Sequence, residues 1–145
     1  MELDDTQLPV TGLEDDDNFL ELVRQRARLQ SKSEAIRLTQ EVLLSVLSAV
    51  GQEIRRDLLT HMPQSIEGFV FPKLELDEVE NLSLMKLERQ IAASWQCDLI
   101  QAARLVGAVG LTISERVPHK IMKSVVMALP IDLQNIFQDK QANAA

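Results

Sequence analysis

Few side chains in this sequence can attack, ligate or shuttle a proton. His61 and His119 are its only histidines and Cys97 its only cysteine. His119 lies four residues after Glu115, a spacing that puts an acid and a base on one helical face. Pro118 stands between them, however, and is expected to break that helix. An enzyme built on His119 with Glu115 or Cys97 is therefore the weakest functional reading, and two histidines at unrelated places fall short of the ligands a metal site needs. Cys97 precedes Asp98 at an expected helix start. The helix end would lower the thiol pKa and the neighbouring carboxylate would oppose that, so Cys97 is expected to behave as a small apolar residue. Asp15-Asp16-Asp17-Asn18 lacks the alternating ligands and central glycine of a calcium loop. No Gly-rich phosphate loop, Gly-x-Ser-x-Gly elbow or zinc spacing occurs. Cys97 and His119 stay as the only reactive candidates, with no catalytic residue, metal ligand or cofactor assigned.

The elements that would position any site are written twice. At an offset of about 67 residues, Ala35, Arg37, Leu38, Val42, Leu44, Val50, Ile54 and Pro63 meet Ala102, Arg104, Leu105, Val109, Leu111, Val117, Ile121 and Pro130 as identical residues. Apart from the arginines and prolines these are core residue types, and a repeat of this kind sets architecture before function. Ser31 followed by Glu34, and Asp98 followed by Gln101, read as capping boxes for two long helices, about 32–50 and 99–117. The first of these is apolar over too much of its circumference for a surface helix and should be central. Helices starting near Gly51 and at Pro118 follow, each ending where a proline disfavours helical geometry in the residue before it. A short helix then folds back in each half through Ile66 and Phe69, or Leu133 and Ile136. Asn18 with Glu21 is expected to cap the first helix, which runs to about Leu29, and a helix over about 82–95 opens the second half.

These signals divide the chain into an acidic, flexible leader over 1–17, a helical repeat over 18–72, an extended linker over 73–81, a second repeat over 82–138 and a flexible tail over 139–145. Each repeat alone would be marginal, so the two are expected to pack as one body. The net charge of −7 disfavours nonspecific binding to nucleic acid or anionic lipid. One cysteine excludes an internal disulfide and fits a reducing compartment. With no apolar run of about 18 residues to span a bilayer and no signal peptide visible, the expected location is cytoplasmic.

Two further groups deserve a reading. Arg24, Arg26, Arg28, Lys32 and Arg37 form the most basic stretch, but their spacing scatters them around the helix, and no aromatic platform for bases accompanies them. Ala102, Ala103, Val106, Gly107 and Gly110 place small residues along one helix. Glycine costs a helix about 1 kcal/mol relative to alanine, so Ala103, Gly107 and Gly110 mark a face that another backbone approaches. The expected neighbour is the other central helix at an internal crossing, the alternative a homodimer seam.

The segments Phe19-Leu20-Glu21-Leu22-Val23, Glu34-Ala35 to Leu47, the Leu59 to Pro63 step, Ala102 to Val117 and Val126 to Phe137 resemble the bacterial domain-of-unknown-function 2267 family. The resemblance covers about Asn18 to Gln138. It implies two similar helical repeats, each closing on a Leu-Pro step and a short helix that ends in a large apolar residue, here Phe69 and Phe137. Met62 before the first proline and the acidic leader depart from that pattern. The expected fold is all-α, two similar repeats of about four helices each packed into one globular bundle. The expected function is a noncatalytic interaction or regulatory module with an unknown protein partner. The alternative is a binder of an apolar small molecule between the repeats, near Trp95, Met122 and Met127.

Overall fold

The computed structural model describes residues 10–74 and 82–137, with side chains from residue 17 onward, and helices account for most of these residues. In order they are α1 (Val10–Ala27), α2 (Lys32–Leu47), α3 (Gln52–Leu59), α4 (Gln64–Leu74), α5 (Leu84–Trp95), α6 (Leu99–Arg116), α7 (His119–Ala128) and α8 (Ile131–Gln134), closed by a 3-10 turn over Asn135–Phe137. No strand occurs among the described residues.

The two long helices start where their caps place them. Ser31 Oγ accepts the Glu34 amide at 3.2 Å, and the Glu34 carboxylate reaches back to the Gln30 amide at 2.8 Å. Asp98 accepts the Gln101 amide at 2.8 Å. Each cap fills one of the donors that a helix start leaves orphaned. Gly51 and Pro118 stand at the N-caps of α3 and α7. α2 packs against α1, α4, α5 and α6, so it is central, and Leu38, Val42, Leu43, Val46 and Leu47 are wholly buried along it. The buried apolar residues form one continuous cluster that includes Leu38, Leu58, Leu87, Ile113 and Leu133. The molecule is thus an all-α bundle around a single core.

The structure departs from the sequence expectations at three places. α1 begins at Val10, so Asn18 is an interior helical residue, and Glu21 turns to Arg24 and Gln25 instead of a capping amide. The acidic run lies beyond the first turn of α1, and Asp17 in it pairs with Lys32 at the start of α2. The extended linker gives way to helix as far as Leu74, with Pro72 inside the last turn; Ile66, Val70 and Leu74 form the buried stripe that holds it. Phe69 is not a closing core residue. It is 42% exposed with Lys73 above its ring at 4.7 Å, whereas Phe137 is buried. Residues 1–9 of the leader, 75–81 of the linker and the tail over 139–145 lie outside the described residues.

Candidate functional site

Both helices that precede the long ones stop on a residue in the left-handed region, Arg28 with φ 58° after α1 and Gln96 with φ 52° after α5. The following amides close matching turns, Leu29 N–H to Arg24 O at 2.9 Å and Cys97 N–H to Ala92 O at 3.0 Å. These turns fold α1 onto α2 and α5 onto α6, and across the halves α1 also packs on α6 and α5 on α2.

Where α5 ends, its contact with α2 is polar and closed by side chains, and a smaller pocket of about 260 Å³ lies further along it, lined by Leu44, Ser45, Lys86 and Gln90. The Arg37 guanidinium lies 4.2 Å from the centre of the Trp95 ring, and the indole N–H donates to Glu41 Oε1 at 2.6 Å. Ser94 Oγ donates to the other Glu41 oxygen at 2.8 Å, and Arg37 donates to the Ser94 carbonyl at 2.8 Å.

Beside the contact of α1 with α6 there is instead an open groove of about 770 Å³. Ile100, Ala103, Gly107 and Leu111 of α6 give its apolar floor, with Ile136 of the closing turn at one side. Ile100 is 73% exposed, a large apolar side chain left to water. Three arginines rim the groove. Arg26 is committed, donating to Thr112 Oγ1 at 3.1 Å and paired with Glu115 at 3.0 Å. The side chains of Arg28 and Arg104 make no hydrogen bond or ion pair with any described residue.

The small-residue face therefore splits. Ala103 and Gly107 open onto the groove, and a Cβ on Gly107 would meet nothing within 4 Å. Gly110 is buried, and a Cβ there would fall 2.1 Å from the Ile136 carbonyl oxygen. Its close neighbour is the closing turn of its own half and not the other central helix, which corrects the expected crossing.

The reactive candidates do not converge. Cys97 sits half-buried against the core, and burial pushes its thiol pKa up, with the Asp98 charge adding to the rise. His119 is the exposed first residue of α7, while Glu115 points to Arg26. The His61 carbonyl accepts the Arg116 guanidinium at 2.9 Å, tying α6 to the turn before α4. Among the described residues no group of three His, Cys, Asp or Glu side chains could hold a metal ion, and no single helix is long and apolar enough to cross a membrane. Trp95 belongs to the cluster with Arg37, Met122 is buried and Met127 is exposed, so these three share no described cavity. The basic stretch is dispersed as well, with Arg24 on Glu21, Arg26 on Glu115 and Lys32 with Asp17.

The groove was not read from the sequence because it consists of what two distant segments leave out. One signal was present: the only polar side chain to recur at matching positions, Arg37 and Arg104, lies under the Trp95 ring in one half and on the groove in the other.

No characterised protein gives a significant match to this sequence. The sequence model of an uncharacterized conserved protein family, domain of unknown function 2267, matches residues 16–136, and the chain belongs to that family.

Proposed function

We propose that this protein is a noncatalytic helical interaction module whose docking surface is the groove between the end of α1, the outer face of α6 and the closing turn. The carrying observation is a pair of arginines, Arg28 and Arg104, whose side chains have no partner among the described residues, above an apolar floor. An exposed apolar strip with a polar rim is the pattern of a surface awaiting a partner. A noncatalytic role is supported by the separation of Cys97, His61 and His119, none of which hydrogen-bonds a nucleophile or a base. A single half-buried cysteine suits a reducing, cytoplasmic setting.

Native mass spectrometry of the protein gently isolated from its own cells tests this, wild type against Gly107→Leu. Leucine has room at that position, so the variant should fold while its side chain fills the groove. The expected result is a protein partner, or a second copy, on the wild type and neither on the variant. A small-molecule mass retained by both proteins would instead favour a buried ligand. Bare monomer from both would remove a stable interface.

A further inference from the structure

Resting on the docking reading, we infer that the groove takes an aromatic side chain carried on an acidic protein segment, the ring stacked on Arg104 and a flanking carboxylate on Arg28. The molecule holds an occupied counterpart of this site. At the 67-residue offset Arg37 matches Arg104 and Glu41 matches Ala108. Counted back from the left-handed residues Gln96 and Arg28, Trp95 matches Ala27. α5 lies on α2 and α1 lies on α6, so the matched residues meet in both places. On α2 an indole covers the arginine and a carboxylate holds the indole. Beside α6 alanines stand where the tryptophan and the glutamate would be, Arg104 keeps its place, and the space they leave belongs to the groove.

What is missing is an aromatic ring and negative charge, and those define the ligand. A guanidinium face attracts a π-system and its edges bind carboxylates, so Arg104 and Arg28 can serve both. The volume exceeds what one ring fills, and Ile100 and Leu111 offer further apolar contact, which suits a short segment with side chains on either side of the aromatic. Charge complementarity points the same way. These two arginines, without a side-chain partner among the described residues, lie on a protein of net charge −7, so a segment with a few carboxylates is attracted locally, while a long polyanion is repelled by the rest of the surface.

The test uses the full chain, ¹⁵N-labelled, and the synthetic peptide acetyl-Glu-Trp-Glu-Asp-amide as probe. Saturable amide shifts are expected at Ala103, Gly107 and Leu111. Arg104→Ala should weaken the peptide about tenfold, and Arg104→Lys should not restore it, because lysine keeps the charge and loses the stacking plane. Arg104 is exposed, so both variants fold and their spectra show it. Equal binding of a peptide with alanine for tryptophan would overturn the aromatic requirement and leave the groove a docking surface. Tighter binding of adenosine 5′-monophosphate at the same amides would overturn the protein-segment assignment. Unmoved amides with every probe would overturn this inference alone if Gly107→Leu still strips the native partner, and the docking reading too if it does not.

Discussion

The two halves of the molecule share their caps and turns and differ in how the long helix ends. α2 stops at Leu47 and unwinds through Ser48 to Val50 inside the core, and Arg55 of α3 gathers the carbonyls left there. Its guanidinium donates to Leu47 O at 2.7 Å, Val50 O at 2.9 Å and Leu74 O at 2.5 Å, so it joins the ends of α2 and α4, and the side chain is 2% exposed. Carbonyl ends carry the negative pole of a helix, which suits a buried cation. α6 needs no such latch. It continues to Arg116, stops against Pro118, and the position matching Arg55 is the buried Met122. The lesson is that one helical plan supports either an apolar or a charged keystone, provided the backbone around it supplies matching groups.

The largest expected effect comes from making the first half like the second. Arg55→Met should cost about 3 to 5 kcal/mol, because it strands buried carbonyls that methionine cannot satisfy. Urea unfolding measures it. A loss under about 1 kcal/mol would mean that water reaches those carbonyls freely and that the latch is incidental.

The closing segments sharpen the comparison at a smaller scale. Leu43 of α2 is matched by Gly110 of α6, and at that glycine the turn at Ile136 lies directly on the α6 backbone. Gly110→Ala is expected to cost about 1 to 3 kcal/mol, since the clash is with a main-chain oxygen that cannot rotate away. Gly107→Ala, one turn earlier and facing open space, should stabilise by about 1 kcal/mol through helix propensity alone. Equal shifts in melting temperature for the two would contradict this division of the small-residue face.

How much could be read in advance follows the range of each interaction. Ser31, Asp98, Gly51 and Pro118 act on amides or dihedrals within a few residues, and each was legible. The buried arginine was not, because nothing near Arg55 in sequence announces that Leu74 will close over it. Gly110 was readable as a close approach but not its partner, since Ile136 arrives from a separate segment. The start of α1 was not legible from Asn18 and Glu21, which spell a capping box: the helix already runs from Val10, and Glu21 pairs with Arg24 inside it. The groove, whose wall includes the small side chains Ala27 and Ala108, had only the recurrent arginine to betray it.

Smaller effects are expected at the left-handed residues that both halves share. Gln96→Gly relieves the steric cost of a Cβ at positive φ and should raise stability by about 0.5 kcal/mol after the entropy of glycine in the unfolded chain is counted. Arg28→Gly should gain about as much and also weaken any acidic partner in the groove. A gain at position 96 with no loss of partner binding at 28 would break the functional half of the comparison while keeping the structural half.

The smallest effect separates the surfaces of α1 and α5. Glu21 accepts Arg24 at 2.5 Å and Gln25 at 3.0 Å, which holds its carboxyl pKa down at about 2. At the matching positions α5 carries Arg89, Ala92 and Ala93 and can form no such pair. A carboxyl whose pKa is lowered by folding stabilises the folded state above its unfolded value and loses that contribution as pH falls towards the folded one. The contribution is therefore present above the ordinary carboxylate range and lost as pH approaches 2. The groups are exposed, so the effect belongs to local opening of α1. Hydrogen exchange corrected for its intrinsic rate should show the amides near Arg24 losing protection over that interval, with those of Ala92 to Trp95 unchanged. In Glu21→Gln the loss on α1 should already be present at neutral pH and independent of acid. An ordinary carboxylate midpoint for Glu21 in a carbon-detected titration would remove the pair as the cause.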